Sequence, residues 1–400
     1  MPRRYDVIVV GSGPNGLAAG IACAASGLST LIVEGARELG GGMRTSPLTL
    51  PGFSHDVCST VHPLAFASPF FRRLGLERHG LAPLESPAPL AHVLGTRSVV
   101  MLERSLEATA DRLGRDREPY RRLLEPLVER FDDLAKMLLG PLRRPADPVL
   151  FARFGLRGLR SMRGLARDSL RTPEARALLA GIAAHAMQPL ERLATASFGL
   201  VLAAAGHAVG WPLARGGSGS IARALAAQFR ALGGEIVLDR TVRRLGELEP
   251  ARAYLLDVTP AQLLELAGRE LPRREAQRLR RFRYGPGVFK LDWALREPVP
   301  WSVPDCARAA TVHLSGDYRS VARSEASVHA GSVAAHPFVL FVQPSLFDPS
   351  RAPSGRHTAW AYCHVPSSSS LDAAHAVESE IERFAPGFRD VVLARSTRNA

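Results

Sequence analysis

With 400 residues, 46% of them apolar and 22% charged, the chain has enough apolar sequence for real cores and is not a disordered segment. The net charge of +13 would suit a nucleic-acid binder, but lysine occurs only at Lys136 and Lys290 and the excess is dispersed arginine. No nucleic-acid motif accompanies it, so nucleic acid is not an expected partner. The four cysteines (Cys23, Cys58, Cys306 and Cys363) contain no C-x-x-C pair, which excludes a cysteine redox centre or zinc site and fits free thiols of a reducing, cytoplasmic compartment.

In chain order, Tyr5 to Val10 reads as a buried strand. Gly11-Ser-Gly13-Pro14-Asn15-Gly16 follows, then a small-residue helix from Leu17 to Ser26, then a strand from Thr30 to Val33 ending in Glu34. This is the order and spacing of a dinucleotide-binding βαβ unit. Gly11 is expected to permit the tight turn, Gly13 the approach of a pyrophosphate, and Gly16 the close packing of helix on strand. The helix start offers N–H groups and a positive dipole end to phosphate. Glu34 is expected to accept hydrogen bonds from ribose hydroxyls, and its charge argues against a 2′-phosphate. Arg3-Arg4 before an apolar stretch has the look of an export signal, but Asp6 interrupts it and the glycine fingerprint explains the residues better.

A second glycine cluster, Gly40-Gly41-Gly42-Met43-Arg44-Thr45, lies just beyond the acid. A simple NAD domain has no need of it, whereas FAD, whose chain runs on past the pyrophosphate, does. These residues resemble the second FAD motif of the glutathione-reductase-type flavoproteins, the group holding amine oxidases and phytoene desaturases. That motif reads Gly-Gly-Arg-x-x-Ser/Thr; here Gly42 stands in the arginine position, and Arg44 is the substitute phosphate partner. Pro51-Gly52-Phe53-Ser-His55-Asp56 and Trp211-Pro212-Leu-Ala-Arg215-Gly216-Gly217 are similar to two further segments of phytoene-dehydrogenase-like proteins. The resemblance implies an FAD site built from Gly11, Gly13, Pro14, Asn15, Gly16, Glu34, Gly41, Gly42, Arg44 and Thr45, with the Val242 backbone on the adenine. It also implies an α/β architecture: a Rossmann-like FAD-binding domain, with a βαβ unit and a central parallel sheet, interleaved with an α+β substrate domain that carries a helical insertion.

The expected boundaries are 1–88 and 214–272 for the FAD-binding domain, and 89–213 and 273–390 for the substrate domain. Within the latter, Ser105 is an N-cap candidate, 117–140 carries an apolar stripe at helical spacing, and helices continue through 150–205 with breaks at Pro173 and Pro189. Arginines crowd 143–171: Arg143, Arg144, Arg153, Arg157, Arg160, Arg163, Arg167 and Arg171. They read first as a solvated helical surface and second as a peripheral face for anionic membrane. The uncharged run Leu193 to Ala214 reads as a buried or substrate-lining helix rather than a span. A helix follows from Ile221 to Leu232, then strands at 235–238 and 252–257, and a helix from Pro260 to Leu271. Beyond 286 four strands are expected: 287–295, 310–314, 338–342 and 358–365.

The resembling family closes with a glycine-rich segment against the flavin ring. Arg395 to Ala400 holds no such segment, so the expectation is a chain lacking that segment after 400, the alternative being divergence. The expected activity is hydride transfer between an apolar, isoprenoid- or lipid-like substrate and flavin N5, with the flavin carrying the redox chemistry. The electron acceptor and the catalytic acid or base are not assigned. Two rivals stand beside it. One is an amine-oxidase-like enzyme, for which 6% aromatic content offers little of the required cage; the other is a non-catalytic or truncated flavoprotein scaffold. No metal-ligand spacing is evident.

Overall fold

Alternation of β-branched residues with a glycine loop and a small-residue helix produces strand β1 (Tyr5–Val10), helix α1 (Pro14–Ala25) and strand β2 (Thr30–Val33). This computed structural model describes residues 5–141 and 144–399; Arg3, Arg4 and Arg143 of the sequence reading lie outside them. β1 and β2 sit at the centre of a four-stranded parallel sheet, flanked by Ala251–Leu256 beside β1 and Glu235–Val237 beside β2. Val7, Val9 and Ile32 bury one face of this sheet against α1 and the helix Gly219–Ala231.

A seven-stranded mixed sheet forms the second layer system. Its order is Val392–Arg398, Gly287–Leu295, His357–Val365, Val339–Val342, Ala309–Leu314, Ala88–Gly95, Ser98–Leu102. One face carries Leu90, Leu102, Leu340, Val342 and Trp360 into a core shared with the helices between 106 and 208. The other carries Phe289, Leu291, Trp293 and Phe341 against the helix Ala374–Phe384. The Leu193–Ala214 run forms the helix Thr195–Ala208, buried on most of its surface. Among the described residues no helix is long and apolar enough to cross a membrane.

Several elements depart from the sequence reading. The 117–140 stripe is two helices, Arg117–Glu129 and Phe131–Leu138, separated at Arg130. Arg273–Arg280 is a helix with only Ala276 buried, so it offers no apolar stripe to recognise. Val392–Arg398 is an edge strand whose alternation is mostly of polar residues.

Candidate cofactor and substrate site

The two glycine motifs are tied together before any ligand is considered. Gly11 N–H donates to Val33 O at 2.8 Å, and Gly40 N–H donates to Ser12 O at 3.1 Å. Gly11 has φ +101°, and a Cβ there would lie 2.7 Å from Asp257 O. A Cβ on Gly16 would meet Gly11 O, at the end of β1, at 2.1 Å, so Gly16 permits the close approach of the helix start to the strand end; Gly20, whose Cβ would meet Ile32 Cδ1 at 2.8 Å, does the same for α1 on β2. Replacing Gly16 with alanine is expected to displace the loop at a strain of about 1–3 kcal/mol. FAD affinity, read by quenching of flavin fluorescence, should fall at least roughly tenfold while the fold remains.

Gly11, Gly13, Glu34, Gly41, Val242 and Asp257 line one cavity of about 610 Å³. Arg240 N–H donates to Glu34 O at 2.9 Å, which anchors the loop carrying Val242 beside the acid. Glu34 accepts from Ser12 Oγ at 2.6 Å, Ser12 N–H at 2.8 Å and Ala36 N–H at 2.9 Å. Burial alone would raise its pKa, but those donors and the charge of Arg44 hold it below the ordinary carboxylate value. Glu34 is thus an ionised acceptor suited to ribose hydroxyls. Asp257 Oδ2 accepts from Gly16 N–H at 2.8 Å and caps the first turn of α1. Asn15 is exposed in that turn. Arg44 Nε donates to Gly41 O at 3.0 Å.

Thr45 plays a different role from the one its motif suggests. Its hydroxyl donates to Asp56 Oδ1 at 2.7 Å and accepts from Gly219 N–H at 2.9 Å. Asp56, fully buried, also accepts from Thr60 Oγ1 at 2.7 Å and Ser218 N–H at 2.8 Å and pairs with the buried Arg351 at 2.9 Å. Burial would raise the pKa of Asp56, but Arg351 and these donors more than offset it and keep the group ionised. The segments around 56 and 216, which resembled a family without an evident role, are therefore one another's binding partners.

Beyond the dinucleotide cavity, Pro14, Gly42, Met43, Cys58, Ser59 and His62 line a second cavity of about 310 Å³. Ser59, His62 and Ala65 are shared with a third, of about 260 Å³, completed by His185, Leu202, Trp211, Leu340, Trp360 and Tyr362. The three cavities succeed one another from the ribose acid into the space between the helical block and the large sheet. The residues present fit a cofactor with an adenosine end, a pyrophosphate at α1 and an extension past Gly42. In the third cavity Trp360 and Tyr362 stack with centroids 5.8 Å apart. Trp211 is the third aromatic residue lining this cavity.

His62 links the cavities. Its Nε2 lies 2.8 Å from Ser218 Oγ, and Ser218 Oγ lies 2.6 Å from Ser59 O, which can only accept. The serine proton goes to Ser59, so His62 Nε2–H donates to the serine and Nδ1 keeps the lone pair. Burial lowers the pKa of His62 to about 4 despite the nearby charge of Asp56. Lys290 and Asp292 form a buried ion pair on the Gly287–Leu295 strand. Lys290 Nζ donates to Asp56 O at 3.0 Å and sits 4.8 Å from the Trp360 ring. Burial drives Lys290 down and Asp292 up, against the attraction between the two charges.

A row of side chains across the large sheet escaped the sequence reading. Register places Lys290 beside Tyr362, Tyr362 beside Leu340, Leu340 beside His313, and His313 beside His92. His185 Nε2 lies 3.2 Å from His313 Nε2. Gly181 leaves room for the rings, since a Cβ there would sit 2.4 Å from His92 Nδ1. His364 Nδ1 pairs with Glu325 at 2.9 Å. Among the described residues no His, Cys, Asp and Glu group is arranged to hold a metal ion.

Residues 6–74 match the sequence family described as FAD dependent oxidoreductase. One of the subunits of the limonene dehydrogenase of Castellaniella defragrans is 32% identical over 126 residues, which is 30% of this chain but only 22% of that relative. The pyridine nucleotide-disulfide oxidoreductase domain-containing protein 2 of Mus musculus is 24% identical across 98% of this chain and 81% of its own length. Among solved structures, an oxidoreductase from Methanosarcina mazei superposes with a TM-score of 0.67 at 13% identity, covering 100% of this chain and 88% of its own. Wild-type putrescine oxidase bound to putrescine gives 0.61 at 18% identity, covering 99% of this chain and 85% of its own. The cofactor is FAD.

Proposed function

We propose that this chain, an FAD-dependent oxidoreductase with the fold of the amine oxidases, removes hydrogen from an apolar substrate held in the cavity between His62, His185, Trp360 and Tyr362. The supporting observation is that the second and third cavities share Ser59, His62 and Ala65, while the second begins at Pro14 and Gly42, next to the Gly13 and Gly41 that line the dinucleotide cavity. FAD, when bound, accepts a hydride from the substrate. The chain's own part is to hold the substrate, exclude water and take the accompanying proton. His62 Nδ1 is placed for the last of these, because it carries the ring's lone pair on the residue where cofactor-side and substrate-side cavities meet. Leu202, Leu340, Trp211 and Trp360 supply the apolar walls. The likeness to part of a limonene dehydrogenase supports a hydrocarbon-like substrate.

A second reading, oxidation of an amine, is favoured by the stacked Trp360–Tyr362 pair. Against a cationic diamine, no carboxylate among the described residues lines the cavity, and Lys290 stands over the Trp360 ring. Anaerobic mixing of the flavin-loaded protein with limonene and, separately, with cyclohexylamine discriminates the two. Bleaching of the flavin by limonene alone is the expected result; bleaching by the amine alone overturns the apolar reading. Replacing His62 with alanine is expected to slow that bleaching about 10²–10⁴-fold without loss of bound flavin. A His62→Ala protein that bleaches at the parent rate removes His62 from the chemistry.

A further inference from the structure

We propose that the helix Pro148–Gly158 and the arginine-lined cavity beside it form a docking surface for bilayers of anionic phospholipid. The helix is capped by Asp147, whose side chain accepts from Leu150 N–H at 2.9 Å. Leu150, Phe154 and Gly158 face the core at helical spacing. The opposite, outward side of a surface helix is normally polar. Here it carries Val149, Ala152 and Leu156, and Leu159 follows; Val149 is 62%, Leu156 78% and Leu159 69% exposed. Ala194 N–H donates to Leu159 O at 3.0 Å, which brings the start of the Thr195–Ala208 helix alongside. That neighbour adds Leu193, 81% exposed, and Phe198, 47% exposed. An apolar patch gathered in this way marks an interaction surface.

The charge beside it identifies the occupant. Arg153 is exposed on the same helix. Arg122, Arg157, Arg160, Arg167, Arg171 and Arg176 line a cavity of about 470 Å³. Among the described residues its single acidic lining side chain, Asp168, is already paired with Arg160 and Arg167. Burial and then repulsion by Arg153 and Arg122 depress the pKa of Arg157, as expected where positive charge lacks a counter-charge. A bilayer containing anionic lipid offers phosphate headgroups above an apolar interior, and the exposed ridge with the arginines beside it offers a complement to each. A second copy of the chain, packed by two-fold symmetry on the ridge, would bring the same arginines toward one another. Phe198 lies on the helix that also supplies Leu202 to the third cavity, so a docked chain would have its substrate cavity behind the docked face. That last link rests on the apolar-substrate reading; the docking itself does not.

The test is sedimentation of the full chain with vesicles of phosphatidylcholine alone and of equimolar phosphatidylcholine and phosphatidylglycerol. Binding to the anionic vesicles only, weakening as salt rises, is expected. Replacing Arg153 and Arg157 together by glutamine should weaken partitioning about fivefold per residue. Replacing Leu156 and Leu159 together by serine should weaken it roughly tenfold or more, and because both positions are exposed, circular dichroism should be unchanged. Equal binding to both vesicle types, no binding to either, or parent-like binding by both folded variants overturns the proposal. So does a dimer in sedimentation velocity that the Leu156→Ser, Leu159→Ser variant abolishes without any change in vesicle binding.

Discussion

Replacing Asp56 with alanine is expected to cost about 3–5 kcal/mol of folding stability, because it strands the fully buried Arg351 without its counter-charge. It also removes the acceptor shared by Thr45, Thr60 and the Ser218 N–H, which joins the second glycine motif to the start of the Gly219–Ala231 helix. A loss of that size is a large part of the total stability of a folded chain. Urea unfolding followed by circular dichroism measures it. Thr45→Val, which deletes one hydroxyl and leaves Gly219 N–H without that partner, should cost less, about 1–3 kcal/mol. Combining Asp56→Asn with Arg351→Met should recover much of the loss, since replacing both partners removes the stranded charge. An Asp56→Ala protein as stable as the parent would show that this ion pair does not hold the segments together.

Acid should destabilise the chain well before ordinary carboxylates titrate. Burial lowers the pKa of His185 to about 3 and of His92 to about 4, and drives His313 well below its ordinary value. These groups are neutral in the folded chain and titrate near 6.5 when it unfolds. Below that value the unfolded state binds more protons, so stability is fully present above pH 6.5 and is lost as pH falls toward the folded values. Between pH 7 and pH 5 the three histidines together should remove on the order of 5 kcal/mol. Urea midpoints measured at the two values test this. A midpoint that does not move would mean that these rings are not held neutral in the folded chain. His185→Leu together with His313→Phe should flatten the dependence.

What was legible in the sequence is what is local. β1, the glycine loop, α1, β2 and Glu34 lie within one short stretch, and spacing alone identifies them. The long strands Gly287–Leu295 and His357–Val365 were legible because apolar runs mark buried strands. Ala88–Gly95 was not, because Pro87 and Pro89 interrupt the sequence where the strand begins. The partners of Asp56 were illegible for another reason: Thr45, Ser218 and Arg351 meet only in the folded chain, and no periodicity links them. His92 and His313 likewise become neighbours through a parallel strand register that the sequence does not specify. Lys290 was the exception, conspicuous as one of two lysines in the chain.

The central claim is that the glycine motifs, Glu34 and the cavities beyond them form a working FAD site. The visible absorption spectrum of the purified chain, taken before and after addition of FAD and then of dithionite, tests it most directly. The expected result is a flavin band that stays with the protein through gel filtration, is bleached by dithionite and is displaced when Gly16 is replaced by alanine. A chain that is folded by circular dichroism, yet retains no flavin after FAD is supplied, would contradict the claim.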